Sequence, residues 1–219
     1  MTELWDERRA QAYRDSPTHR EGPDLDRVVE WCAPGPGRKV LDVATGGGHV
    51  ARRLREEGCE VVTVDPSTAM EPDVVAVAEN LPFEDGSFDV VVSRIAPHHF
   101  ADVHAAVGEM GRVSNDVVVI EDTLFSNERT EEAEKLRDPS HVRNYTELEW
   151  RRFLGDAGLE LEQVDYFEKT HPLEAWLART GCEGEPAERV KELLADRMTD
   201  DGSAWVDRKI ILKARKSQR

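Results

Sequence analysis

The residues most able to do chemistry sit where short apolar runs end. Asp42 lies in the run KVLDV (39–43), and Ala44, Thr45 and Gly46-Gly47-Gly48 follow at once. Asp65 follows the run EVVTV (60–64), and His98 and His99 lie just past DVVVS (89–93). Glu121 and Asp122 close the run that begins at Val117. A glycine-rich turn between a strand and a helix lets a ligand reach the backbone and aims the helix N-terminus at it. Gly46-Gly47-Gly48-His49-Val50-Ala51 fits the G-x-G-x-x-G/A fingerprint, and Asp65 lies where a ribose-binding acid belongs. That pattern serves a dinucleotide or a nucleoside equally. A plain turn fits it poorly, because three adjacent glycines cost backbone entropy. Asp42 separates the two ligands. A carboxylate beside the glycines opposes a pyrophosphate but suits a cation that carries an ammonium and a sulfonium. No Tyr-x-x-x-Lys pair of a short-chain reductase is present, since Tyr13, Tyr145 and Tyr166 all lack a Lys four residues on.

Histidine titrates near neutrality, so His98 and His99 are candidate bases at the end of a strand. The plainer reading is that one fills the turn and the other lines a ligand. Asp122 or Glu121 can orient a substrate at the same opening or simply end a strand. His141 and Tyr145 follow a loop that suits a lid, and Tyr13 and His19 lie in an N-terminal segment able to close over a ligand. His98, His99, Asp122 and His141 match no metal-ligand spacing, and Cys32, Cys59 and Cys182 form no C-x-x-C pair, so no metal is expected. Trp31, Trp150 and Trp176 are read as core or interface anchors.

Positioning these groups falls to an alternating set of elements. A helix is predicted over Asp24–Cys32 and broken by APGPG (33–37). Strands follow at Lys39–Val43, Glu60–Val64, Val74–Val77, Asp89–Ser93 and Val117–Ile120, with helices at His49–Glu57 and His104–Val113. Such alternation argues for a parallel sheet covered by helices. Thr146–Ala157 reads as a helix closed by Gly158, and Leu173–Met198 as a further helical stretch. Leu159–Phe167 and Trp205–Ala214 lack the helix-length rhythm and are expected to finish the sheet as an antiparallel edge. Only eight residues, Pro66–Asp73, separate Asp65 from Val74. A parallel crossover needs about a dozen or more, so the helix after the second strand is expected to be shortened or lost.

The 219 residues, 39% hydrophobic, suit one domain with a real core. The expected division is an N-terminal cap (1–36), a cofactor-binding core (37–123), and a lid region with the last two strands (124–219). No apolar run approaches the roughly 18 residues of a membrane span. The N-terminus is charged and lacks the apolar centre of a secretory signal, so a cytoplasmic protein is expected. A net charge of −16 opposes binding to nucleic acid or anionic lipid. The oligomeric state has no readable signal.

VLDVATGGGHVA (40–51) resembles motif I of the class I S-adenosylmethionine-dependent methyltransferases, of the type found in ubiquinone and menaquinone biosynthesis. VVTVDPSTAM (61–70), AENLPFEDGSFDVVVSRIAPHHFADV (78–103) and EMGRVSNDVVVIEDT (109–123) resemble the following motifs in order, and KLRDPSHVRNYTELEWRRFLGDAGL (135–159) is similar to the region after the core in bacterial type 11 enzymes. The resemblance implies a Rossmann-like, doubly wound, mostly parallel seven-stranded sheet. It also implies S-adenosyl-L-methionine as cofactor and methyl transfer to a small-molecule acceptor. It assigns Asp42 to the amino end of the cofactor, Ala44, Thr45, Gly46 and Gly48 to the loop under the methionine, and Asp65 to the ribose. It assigns Pro66, Ser67, Ala78 and Glu79 to the adenine, and the backbone of Arg94 to the methionine end. The resemblance assigns no catalytic residue; the candidates are those raised above from their places in the chain, His98, His99, Asp122 and Tyr13.

The chain departs from the family pattern at Ala44, which replaces the first glycine and is tolerable with a negative φ. Val77 stands where many relatives place an adenine-binding Asp, and the crossover after Asp65 is short. These departures keep a second reading in view: a degenerate cofactor-binding module without methyl transfer. A nicotinamide-dependent oxidoreductase is the third.

Overall fold

Val40, Leu41 and Val43 have no exposed surface, and the strand they form, β1 (Lys39–Val43), is buried on both faces. That is why its sequence is apolar on both faces, apart from Asp42 near its end, rather than alternating. The computed structural model describes residues 7–217. Around β1 it assembles β2 (Glu60–Asp65), β3 (Val74–Val75), β4 (Phe88–Arg94), β5 (Ser114–Thr123), β6 (Leu159–Pro172) and β7 (Ala204–Lys216) into one sheet of order β3-β2-β1-β4-β5-β7-β6. The first five strands are parallel, and β7 runs antiparallel to both β5 and β6. The mixed sheet with an antiparallel C-terminal edge is the architecture expected from the sequence.

Helices α3 (Pro23–Trp31) and α4 (His49–Glu56) cover one face, packing Leu25, Val28 and Leu54 against Val40, Val90 and Val119. Helices α5 (Val103–Val113) and α7 (Glu147–Asp156) cover the other, packing Met110, Trp150 and Leu154 against Leu41, Val91 and Val118. Odd and even residues of each strand therefore feed two cores. Thr146 and Glu149 start α7 with a reciprocal capping box. A third core, around Trp176, Val190 and Trp205, joins α6 (Glu128–Arg137), α8 (Leu173–Ala178) and α9 (Glu185–Leu193) to β7. Two short helices, α1 (Glu7–Arg14) and α2 (Pro17–Arg20), precede α3. No helix among the described residues is long and apolar enough to cross a membrane.

Several expectations are corrected. The helix expected over Leu173–Met198 is two helices, because Gly181 and Gly184 between them adopt φ of 71° and 66°. The third strand is two residues rather than four, while the fifth starts at Ser114, directly from the end of α5. The link after Asp65 has lost its helix, as expected, and keeps one 3-10 turn at Thr68–Met70. A side-chain clasp holds the short link: Asp73 Oδ2 accepts from Thr63 N at 2.9 Å and from Thr63 Oγ1 at 2.8 Å. Tyr145 is no lid residue, since its ring packs edge-on against Trp150 and Phe153 in the core.

Candidate active site

The chain winds outward from β1 to β3, then returns to β4 and winds the other way. The carboxyl ends of β1 and β4 therefore flank a switch point, where an open α/β sheet offers a crevice. A cavity of about 460 Å³ opens there, within the range of small-molecule sites. Asp42, Ala44, Thr45, Gly46, Asp65, Pro66, Ser67, Ala78, Glu79 and Arg94 all line it. Gly48 does not. It stands as the N-cap of α4 with φ of 70°, and Gly47, His49 and Val50 reach the cavity instead. A Cβ on Gly47 would fall 3.2 Å from Arg14 Cα, so this glycine admits the N-terminal helix over the loop.

Asp42 is 2% exposed, and its Oδ2 accepts from Thr45 Oγ1 at 2.7 Å and from Ala51 N at 3.2 Å. Burial pushes its carboxyl up to about 6, against those two hydrogen bonds and with help from the Asp65 charge. Asp65 accepts from Gly46 N at 3.0 Å and Ser67 N at 2.9 Å, and burial raises its pKa as well. Two desolvated carboxylates thus face one cavity with lone pairs to spare. Ala44 has φ of 55°, so the negative φ supposed for it is not adopted; the loop keeps the left-handed bend of a glycine with an alanine in it. Ile95 shares this conformation at φ of 52°, a strained setting for a β-branched residue.

Glu79 lines the cavity and also accepts from Asp102 N at 3.1 Å, whereas Val77 is 39% exposed. The side chain of Arg94 turns away from the cavity's glycine side. It reaches Asp24 Oδ2 at 2.5 Å, Glu121 Oε2 at 2.7 Å and the His19 carbonyl at 3.0 Å. Lys169 joins Asp24 at 2.5 Å. Burial alone would raise the Asp24 carboxyl, yet Arg94 and Lys169 hold it low, while burial pushes Glu121 up to about 7. This cluster ties α3 to β4, β5 and β6 and places the backbone at Arg94 and Ile95.

A second, polar cavity of about 40 Å³ adjoins the first and shares Tyr13, His19, Ile95 and His99 with it. His98 lines this cavity, and its Nδ1 lies 2.5 Å from Asp122 Oδ1. Burial lowers the His98 pKa well below its usual value and pushes Asp122 up to about 7. Asp122 is fully buried and lines neither cavity. His99 Nδ1 lies 3.1 Å from the Ser140 carbonyl, and burial with His98 nearby lowers its pKa to about 3. Tyr13 and His19 come from the N-terminal segment, their rings 5.2 Å apart. Sequence reasoning brought these residues forward but missed Arg137, His171, Arg179, Trp205 and Lys209, which complete the second cavity. They come from four separate segments, and no local spacing connects them.

With this geometry in view, comparison with known proteins places the chain. A family model described as a methyltransferase domain matches residues 7–164. The uncharacterized methyltransferase YcgJ of Bacillus subtilis (strain 168) is 32% identical over 208 residues, covering 84% of this chain and 81% of that one. A demethylmenaquinone methyltransferase of Beutenbergia cavernae is 38% identical over 89 residues, 36% of this chain and 37% of that one. The crystal structure of BH2331 from Bacillus halodurans C-125 aligns with a TM-score of 0.80 at 29% identity, over 90% of this chain and all of that one. The chain belongs to the methyltransferase-domain family, and its class is that of the methyltransferases.

Proposed function

We propose that the larger cavity binds S-adenosyl-L-methionine and that the protein transfers the sulfonium methyl group to a small-molecule acceptor. The observation that carries this reading is the pair of buried carboxylates, Asp42 and Asp65, facing one cavity across a glycine loop. The residues fit the cofactor. Asp65 spends one lone pair of each oxygen on backbone N–H groups and keeps others for the two ribose hydroxyls. Asp42 supplies negative charge beside the loop, where an ammonium and a sulfonium gain from it. Ala78 and Glu79 form the adenine side, shortened by the lost helix.

Held by Asp42, Asp65 and the glycine loop, the cofactor would supply a methyl group on a good leaving group, transferred to the acceptor as the methyl–sulfur electron pair stayed on sulfur. The protein's share is mainly proximity and orientation. Tyr13 and His19 close the N-terminal side and exclude water. Where the acceptor must lose a proton, His98 is placed to take it, as a neutral imidazole oriented by Asp122. We assign the chain one domain, with 1–36 as cap, 37–123 as cofactor core and 124–219 as lid region and last strands.

The family match removes the basis for the nicotinamide reading. Calorimetry with S-adenosylhomocysteine tests the proposal: saturable binding is expected, and no heat at millimolar ligand would sink it. Binding without turnover across a broad acceptor panel would favour a degenerate module.

A further inference from the structure

The second cavity is built from more positive charge than the fold has paired. Four cationic side chains line it. Lys169 is bound to Asp24 at 2.5 Å, and Lys209 to Asp207 at 2.5 Å. Arg179 is different. It donates to Thr18 Oγ1 at 3.3 Å and lies over the Tyr13 ring at 5.6 Å, but no carboxylate lies within ion-pair distance of it among the described residues. Arg137 is 9% exposed and stacks on Trp176 at 4.3 Å, with Nε donating to the Trp176 carbonyl at 3.1 Å. It reaches Asp138 only at 4.0 Å, and its Nη2 is buried with no hydrogen-bond partner. Burial, with a smaller push from the nearby Arg137, brings the Arg179 guanidinium down to about 10, against the Asp138 charge.

Neutral polar groups around the same cavity are also unsatisfied. Trp205 Nε1 is buried without an acceptor, and neither ring nitrogen of His171 has a hydrogen bond, Asp207 lying 3.6 Å from Nε2. Buried polar groups are almost always paired, and each orphan costs about 1–3 kcal/mol. Two anionic groups line the cavity against this charge: Asp207, already engaged by Lys209, and Glu134, whose carboxyl burial pushes up to about 7, so that it is only partly ionised near neutrality. The volume of about 40 Å³ holds about three water-sized bodies. That suits a planar two-oxygen group better than a tetrahedral phosphate.

We propose that this cavity is the anion subsite of the methyl acceptor, taking the carboxylate of a small carboxylic acid between Arg137 and Arg179. Guanidinium forks match the two oxygens of a carboxylate. The rest of the acceptor occupies the junction at Tyr13, Ile95 and His99, which both cavities share, and its nucleophile faces the methyl group. The assignment of the acceptor rests on the larger cavity being the cofactor site. The anion site itself does not.

The test compares benzoate with its neutral isostere benzamide by calorimetry, on the protein with and without S-adenosylhomocysteine. Benzoate is expected to bind at least about tenfold more tightly than benzamide. Arg179→Met is expected to abolish that preference while leaving the homocysteine product's affinity unchanged. Arg179→Lys keeps the charge without the fork and should retain part of it. A thermal melt of each variant checks folding, and the wild-type comparison stands even if a variant fails. Equal binding of benzoate and benzamide, or no binding of either at millimolar concentration, would overturn the proposal, as would inorganic phosphate binding more tightly than benzoate. Failure of the product to bind would refute the cofactor reading alone, because the comparison on the ligand-free protein still decides the anion site.

Discussion

Asp65 at the end of β2 accepts the backbone N–H of Gly46 at 3.0 Å, so the acid that faces the cavity also holds the loop that shapes it. Its other oxygen accepts from Ser67 N at 2.9 Å and starts the 3-10 turn on the far side. One carboxylate thereby fixes the glycine loop after β1 and the short link after β2. In a chain that has lost the helix after β2, this bridge sets the spacing between the two walls of the cavity.

Asp65→Ala is expected to weaken S-adenosylhomocysteine binding by about 10–100-fold, the worth of hydrogen bonds to a charged acceptor. It also strands two N–H groups and should lower the melting temperature. Asp65→Asn keeps one acceptor oxygen and should recover part of the stability but little of the affinity. Calorimetry and thermal melts on the two variants separate these roles, and unchanged affinity in both would remove Asp65 from the ribose.

Asp42 makes the ligand-free protein less stable as pH rises. Its folded-state pKa is raised from 3.8 to about 6, so the folded chain binds the proton more tightly than the unfolded one. Stability is greatest below the unfolded value and falls as pH climbs through that window, by up to about 3 kcal/mol. Oδ2 alone accepts both local hydrogen bonds, and the oxygen of Asn can replace it. Asp42→Asn should therefore gain about 1–3 kcal/mol at about pH 8, gain little at about pH 4, and bind the cofactor more weakly. Urea melts across pH give the first two results and calorimetry the third. An equal gain at both pH values would contradict the burial argument.

Ala44 stands at φ of 55°, where an L-residue pays about 1–2 kcal/mol that glycine does not. Ala44→Gly should raise stability by about 1 kcal/mol, partly offset by glycine's greater unfolded-state entropy, without loss of cofactor affinity. A denaturation midpoint that falls on this substitution would show that the alanine methyl contributes packing worth more than the strain.

The sheet was legible in the sequence because strands buried on both faces are apolar nearly throughout, as 117–120 is and as 40–43 is apart from Asp42. The glycine loop and Asp65 were legible because backbone approach to a ligand demands particular residues at fixed offsets. Helix α6 was not. Its sequence, ERTEEAEKLR, carries no apolar stripe, yet it buries Glu131, Glu134 and Arg137 through ion pairs and hydrogen bonds with His141, Asn144 and the Trp176 carbonyl. Periodicity finds helices that bury hydrocarbon, and this one buries charge. The second cavity was hidden for a related reason: His98, Arg137, His171, Arg179 and Trp205 meet only after β6, β7 and α8 have folded back over β5.

The charge buried by α6 should show in a pH dependence of its own. His141 Nε2 lies 3.0 Å from Glu131 Oε1, with both side chains largely buried. Burial alone would lower the imidazole's pKa, but the Glu131 hydrogen bond and the charges of Glu134 and Glu131 raise it above 6.5. A raised folded-state value means that the stabilisation is full below the unfolded pKa of 6.5 and is lost as pH rises through the folded one. Glu131 is lowered from 4.5, so its share appears above that value and is lost as pH falls through its folded pKa. The pair therefore contributes most between 4.5 and 6.5. Glu131→Gln should cost about 1–3 kcal/mol at about pH 6 and less at about pH 9, where the imidazole is neutral in both proteins. In the wild type, NMR should find His141 titrating above 6.5 while His98, held by Asp122, stays neutral at that pH. The reverse order would mean that the buried proton belongs to the His98–Asp122 pair, and His98 would then enter the reaction as an acid rather than a base.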